Sequence, residues 1–485
     1  MTEPPPGPSP GQPSEQPPQA PPGQPPQAPP GQPPRVAADR PPQRLSPLTP
    51  LVRSFIVLLA AGMTVIRDVT RGELGPTATL FVLLLLGGGL FGAVSWLRTT
   101  FWIESDELRV DTGVIQRQSR RIRIDRLQGI DIVQPFVARL FGLAELRMDV
   151  AGGSSREGSL AYLQLSEARR LKDLLLARRD ELGATHRDAA AGEVGPAVAQ
   201  GVAQGPAGEV APAAPAPEQV IAHVNLSMLA LSIVLSGETV ALVLVMAGMV
   251  TAFVASGELV GLGAMVPVLF GFGIALFRRF SQNFRFTVSE TPAGMQVKRG
   301  LFDLSAQTIA LHRVQGVVVT EPLLWRALGW ARLDVSIAGY GVGTDEGPAP
   351  STVLPVGDRR VVHALARHVL GGLDPETAHL RPVPSRARWL APVGFRFLRV
   401  GTTEHLVVSR EGWFARRTHA APQARVQSVR ITQGPRQRLL GLADVHTDSP
   451  PGPTVVRARH RDAAEARRLF GVEVAMTAWA RRQQR

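Results

Sequence analysis

The stretch "DRLQGIDIVQPFVARLFGLAEL", Asp125 to Leu146, decides how the chain is read, because its skeleton occurs three times. "HRVQGVVVTEPLLWRALGWARL" begins at His312 and "ARVQSVRITQGPRQRLLGLADV" at Ala424. The step from Arg126 to Arg313 is 187 residues, and it also carries Gln128 to Gln315, Pro135 to Pro322, Arg139 to Arg326 and Gly142 to Gly329 without a gap. A further step of 112 reaches Arg425, Gln427, Arg438 and Gly441, with Gly434 where the prolines stood. So many coincidences in register mean three copies of one unit.

Within each copy the apolar residues alternate, as in Ile130 and Ile132, Val317 and Val319, or Val429 and Ile431, the period of a half-buried strand. Upstream, the aligned Gly113, Gly300 and Gly412 break a hairpin where a turn uses glycine's tolerance of positive φ. Downstream, an amphipathic segment closes each copy, for example "DRRVVHALARHVL". The unit reads as a small antiparallel sheet closed by one helix.

Two pairs of apolar segments precede copies one and two. "TATLFVLLLLGGGLFGAVSWL", Thr77 to Leu97, is uncharged over 21 residues, enough at 1.5 Å per residue to cross a hydrocarbon core. Leu48 to Ile66 precedes it, with Arg53 snorkelling to the interface. The second pair is Thr239 to Ala255 and Leu259 to Phe277. Glu238 is placed at the interface with Leu226 to Ser236 along the surface; the alternative starts the third helix near Leu226 and carries Glu238 into the membrane, where a carboxylate is costly. The arginines flanking the hairpins, notably Arg98, Arg278 and Arg279, direct the large segments to the cytoplasm.

The fold class expected is thus an α+β multidomain membrane protein, with four transmembrane helices in two hairpins and three sheet-plus-helix domains. Its divisions are a Pro-rich disordered tail (1–44), hairpin one (45–98), domain one (99–182), a disordered linker (183–219), hairpin two (220–279), domain two (280–373) and domain three (385–485). The tail and linker lack the apolar residues to offset ordering entropy.

The Arg-x-Gln strand, the "RLFGLAEL", "RALGWARL" and "RLLGLADV" segments and the closing helix resemble the bacterial membrane-anchored pleckstrin-homology-like domain family, in the YdbT-type arrangement. That resemblance implies a PH-like fold, a curved seven-stranded sheet capped by a C-terminal helix, and no settled biochemical activity.

Composition narrows function further. The chain has no Cys, which excludes thiol nucleophiles and Cys-ligated metals. Its lysines are only Lys172 and Lys298, and the net charge of +13 resides mainly beyond Ser385, where 19 Arg face 7 acidic residues; an anionic partner is expected to meet that end. No HExxH, Ser-His-Asp or paired-carboxylate pattern stands out, and "GYGVGTDEG", Gly339 to Gly347, lacks the GK[ST] ending of a phosphate loop. No enzyme activity and no cofactor are expected, nor is nucleic-acid binding, since the basic end has few aromatics for stacking.

The repeated Arg126, Gln128, Arg139, Gly142, Arg313, Gln315, Arg326, Gly329, Arg425, Gln427, Arg438 and Gly441 are read as fold-maintaining, because ligand chemistry need not be triplicated. Contacts with anionic lipid headgroups are assigned to Arg117, Arg120, Arg121 and Arg123 in copy one and Arg416 and Arg417 in copy three. The functional expectation is a multi-pass inner-membrane scaffold or adaptor with its N-terminus and three domains in the cytoplasm, touching lipid, a protein partner or itself; the alternative is an accessory subunit of an envelope export or protection system.

Overall fold

The computed structural model describes residues 43–44, 83, 87, 94, 97–104, 106–112, 118–150, 159–192, 219–257, 263, 265–291, 294–338, 352–450 and 452–483. Nearly all of the segments read as Pro-rich tail and first hairpin, the part of the expected linker from 193 to 218, Arg117, and residues 339–351 lie outside these residues.

The first module contributes β1 (Gln43–Arg44), β2 (Thr100–Glu104), β3 (Glu107–Thr112) and β4 (Gln118–Arg123), then β5 (Leu127–Gln134), β6 (Leu143–Val150) and β7 (Ser159–Gln164). A short α1 (Phe136–Leu140) lies between β5 and β6, and α2 (Leu165–Gly192) closes the unit. The closing helix therefore runs ten residues into the segment read as linker.

The second module opens with β8 (Gln219–His223), followed by α3 (Leu226–Val234), α4 (Gly237–Ser256) and α5 (Met265–Gln282). Strands β9 (Thr287–Thr291), β10 (Gly294–Arg299), β11 (Leu304–Ile309), β12 (Val314–Pro322), β13 (Trp330–Ile337) and β14 (Thr352–Asp358) follow, with α6 (Leu323–Ala327) after β12 and α7 (Arg359–Val369) at the end. The third module repeats the order with β15 (Arg381–Pro382), β16 (Arg399–Thr402), β17 (Leu406–Glu411), β18 (Ala415–Pro422), β19 (Ser428–Thr432), α8 (Pro435–Leu439), β20 (Leu442–Asp448), β21 (Val456–Asp462) and α9 (Ala463–Gln483).

The sheets do not respect the module boundaries. The strand orders are β1-β2-β3-β4, β7-β6-β5-β11-β10-β9-β8, β14-β13-β12-β18-β17-β16-β15 and β19-β20-β21. Each seven-stranded sheet takes three strands from one module and four from the next, which corrects the expectation of one self-contained sheet per domain. The second junction is a true core: Val317, Val318 and Val319 of β12 are buried, and Leu406, Val408 and Ala420 of the third module join the second module's apolar cluster.

A second correction concerns where modules begin. Gln219–His223 belongs to the sheet, pairing with β9, whereas the sequence reading divides it between the end of the linker and the start of the second hairpin. Register makes the three opening strands equivalent: Arg44 faces Thr100, His223 faces Thr287 and Pro382 faces Arg399. The apolar segments are thus insertions between the first two strands of a module, at residues 45–99 and 224–286, and the third module has only the short connection 383–398 there.

Of the described helices, α4 alone is long and apolar enough to cross a membrane. α5 begins at Met265 and ends on Arg278 to Gln282, so its last turn is polar. Glu238 lies in the first turn of α4, where the helix dipole favours a carboxylate. Ser236 caps that helix by accepting from the Thr239 N–H at 3.4 Å, so α3 and α4 are two helices rather than one continuous helix starting near Leu226. α3 is docked on protein rather than merely laid along a surface: Leu229 and Ile233 are buried in the second module's core. Trp325 donates its indole N–H to the Ser232 carbonyl at 3.2 Å.

Glycine is required at two kinds of position. Gly300 and Gly412 have φ of +117° and +89°, and a Cβ there would lie 1.9 and 2.0 Å from the carbonyl oxygens of Asp303 and Ala415. Gly142, Gly329 and Gly441 follow α1, α6 and α8 with φ of +67°, +71° and +61°, the left-handed turn that ends a short helix.

Candidate functional site

Three surfaces carry the chemistry of this chain: the module junctions, a basic cavity beside the hairpin, and the aromatic end of the third module. At the first junction Gln134 faces Leu304, and at the second Glu321 faces Arg416. The repeat steps convert one pair into the other, so the two junctions have the same register.

The repeated arginine after that strand clasps the next module. Arg139 donates to the Leu301 carbonyl at 3.1 Å and Arg326 to the Trp413 carbonyl at 2.7 Å, equivalent oxygens in equivalent turns. The Phe136 N–H reaches Asp303 at 2.9 Å, and the Leu323 N–H reaches the Phe414 carbonyl at 2.6 Å. Of the remaining repeated residues, Arg313 donates to the Ala338 carbonyl, Gln315 to the Arg313 carbonyl at 3.0 Å, and Arg425 across the junction to the His312 carbonyl at 2.8 Å. Arg126 is exposed at the end of a single 3-10 turn.

The arginines assigned to headgroups do not form one site. Arg120, Arg121 and Arg123 lie along β4, with Arg123 held by Asp125 at 2.7 Å. Arg416 is engaged inside the second junction by Glu321 at 3.3 Å, whereas Arg417, one residue on, is exposed. Glu321 is buried and also meets Arg359 at 3.1 Å. Sequence reading passed over Glu321; the signal was its position, since the first and third copies have Gln134 and Gln433 there, each donating to an aligned carbonyl, Leu143 and Leu442.

A cavity of about 300 Å³ opens between α3, the start of α4, the end of α5 and the second module's sheet. Arg279, Arg299 and Arg332 converge on it. Arg279 pairs with Glu238 at 3.0 Å, and Arg332 with Asp334 at 2.8 Å. Arg299 makes no ion pair among the described residues. Burial lowers its pKa, the adjacent Arg332 lowers it further, and Asp131 opposes them; a guanidinium remains charged through such a shift. The arrangement offers a half-buried cation with no direct ion pair among the described residues, in a polar recess suited to an anionic group.

At the third module the connection 383–398 occupies the place of a hairpin. The step of 112 puts Trp389 where Phe277 stands in the second half of α5, and Phe414 where Phe302 turns between β10 and β11. Phe302 packs against Phe277 at 5.9 Å between ring centroids and against Phe136 at 5.1 Å. The counterparts of Phe277 and Phe302 face outward: Trp389 and Phe414 are 71 and 68% exposed, and nearby Val393 is 64% exposed. Trp413 packs at a tilt against Phe414, with ring centroids 4.2 Å apart, and Arg388 lies over the Trp389 ring at 5.4 Å. Trp is a residue type enriched where an apolar and an aqueous phase meet.

Comparison with known proteins is consistent with this architecture. The sequence profile of the family described as "Bacterial PH domain" matches residues 54–179, 229–372 and 383–472. The protein named "UPF0699 transmembrane protein YdbT" from Bacillus subtilis (strain 168) is 32% identical over 87 residues, which is 18% of this chain and 18% of that relative. No solved structure matches.

Proposed function

From the bacterial PH domain family, to which this chain belongs through three matched segments covering most of its length, we propose that it acts as a membrane-anchored scaffold. In this reading four helices in two hairpins cross the inner membrane, the N-terminus and the three modules lie in the cytoplasm, and shared sheets make the modules one platform for protein or lipid contacts. The name of the Bacillus subtilis relative, a transmembrane protein, supports the anchoring. The cavity at Arg299 receives the anionic headgroup of a lipid beside the second hairpin, and the third module dips Trp389, Val393 and Phe414 into the interface.

One observation carries the proposal. The insertion point between the first and second strands is the same in all three modules, so hairpin, hairpin and aromatic connection leave the sheets from equivalent corners.

Absence of native cysteine makes the test direct. Val393→Cys and Glu404→Cys, each labelled with a polarity-sensitive dye and reconstituted in vesicles containing phosphatidylglycerol, are expected to differ. The dye at 393 shifts to the blue and is quenched by brominated acyl chains, while the dye at 404 stays in water. In intact cells, a membrane-impermeant maleimide reaches 404 only after permeabilisation. A water-exposed dye at 393, or labelling of 404 from outside, overturns the placement.

A further inference from the structure

Both internal junctions join the same two kinds of edge. The strand that opens the second half of one module, β5 or β12, pairs antiparallel with the strand that ends the first half of the next, β11 or β18. Three modules in a row use each kind of edge twice and leave one of each over. Among the described residues β4 has only β3 as a neighbour, and β19 has only β20. The contrast with the filled position is plain: Val317 to Val319 of β12 are buried, whereas Val429 and Ile431 of β19 are partly open and Arg430 is exposed.

We propose that β19 of one copy pairs with β4 of a second copy, so that chains of this protein associate head to tail through a third junction of the same kind. An unpaired strand edge is a template for a further strand, and here the chain itself supplies the complementary edge twice over. The register transfers from the internal junctions: Ile431 faces Ser119 of the second copy, as Ile132 faces Ala306 and Val319 faces Thr418. Thr432 then faces Gln118, and Arg430 faces Arg120.

The donor of the clasp is also present. Arg438 stands where Arg139 and Arg326 donate to the next module's turn, and the adjacent Leu439 is 87% exposed. A contact between different surfaces of identical chains is heterologous, and its rotation decides whether it closes into a ring or continues. Arg430 opposite Arg120 is a like-charged cross-strand pair, which weakens the contact relative to the internal junctions; Asp448, 3.1 Å from Arg430, offsets part of that. The association is accordingly expected to be reversible. It requires no lipid contact by the third module and stands or falls separately from the scaffold reading.

The test uses two differently tagged full-length chains co-expressed in one membrane, one with Ser119→Cys and the other with Ile431→Cys, treated with a short bifunctional maleimide. A doubly mutated chain, Ile132→Cys with Ala306→Cys, provides the internal benchmark of an intact junction by its loss of free thiols. The expected result is a mixed-tag dimer, several-fold more abundant than with Ser428→Cys in place of Ile431→Cys. Arg120→Glu, which makes the facing pair opposite in charge, raises the yield further. The proposal is overturned if the benchmark closes and no mixed dimer forms. It is equally overturned if Ser119→Cys chains link only to each other, if the yield ignores register, if Arg120→Glu lowers it, or if the product contains a different polypeptide.

Discussion

The second and third modules are built on one plan and differ in what occupies two equivalent places. In module two the insertion carries α3, α4 and α5, and both outer strands, β11 and β12, are paired with neighbours. In module three the insertion is a short connection tipped by Trp389, and β19 is left at an edge. One position shows how local this difference is. Trp325 follows β12 and holds α3 against the core, while the repeat places Ala138 in module one and Gln437 in module three. Gln437 instead accepts from the Gly434 N–H at 2.8 Å and donates to Asp444 at 2.7 Å. The module tolerates either solution because its sheets, not this corner, supply the frame.

Removing the indole is the strongest way to break the comparison. Trp325→Ala is expected to cost about 3–5 kcal/mol, the range for a large buried aromatic, and to release α3, seen as faster amide hydrogen exchange over Leu226–Val234. Gln437→Ala, at the same place in module three, is expected to cost only about 1 kcal/mol through the lost cap.

The second prediction concerns Glu321, the buried carboxylate of the second junction. Glu321→Ala is expected to destabilise by about 1–3 kcal/mol, below the usual cost of breaking a buried pair because both arginines retain access to water. Glu321→Gln, which copies Gln134 and Gln433, is expected to restore much of that loss. Exchange rates of the β12 and β18 amides measure both, and equal losses for the two variants would sever the analogy between junctions.

A third test separates the closing helices. Counted from the capping residues Asp358 and Asp462, Glu473 falls where module two has the buried Val369. Burial raises the Glu473 pKa, with hydrogen bonds from Thr402 at 2.5 Å and Gln423 at 2.9 Å opposing the rise. The folded state therefore holds this proton more tightly than the unfolded chain. The contribution to stability is fully present below the ordinary carboxylate value of 4.5 and is lost as pH rises through the raised one. Glu473→Gln is expected to flatten that decline in urea titrations at stepped pH, whereas Val369→Ala would leave its slope unchanged.

The smallest effect is expected from Glu238→Gln. Its carboxylate is 83% exposed in the pair with Arg279, and such surface pairs contribute about 0.5 kcal/mol or less. A melting temperature that falls by much more would mean that the base of the hairpin is more enclosed than module three's open connection suggests.

Several features were legible in residues alone. The triplication, the turn glycines Gly300 and Gly412, and the apolar character of α4 each depend on side-chain identity or spacing that survives in linear order. The assignment of Arg416 to lipid contact overlooked Glu321, ninety-odd positions away in sequence and adjacent only after β12 and β18 pair. The cavity arginines come from α5, β10 and β13, and no linear motif links them. The opening strand β8 was also missed, because five residues beside a long apolar run carry little periodic signal of their own.

The sequence by itself determined that there are three copies of one sheet-and-helix unit and where their turns and apolar insertions fall. Tertiary structure alone decided which strand pairs with which, and so that the sheets run through the module boundaries. The physical reason is that strands join through main-chain N–H and C=O groups, which nearly every residue carries. Side chains mark a strand and its buried face, but the partner along its edge is chosen only when the modules are set side by side.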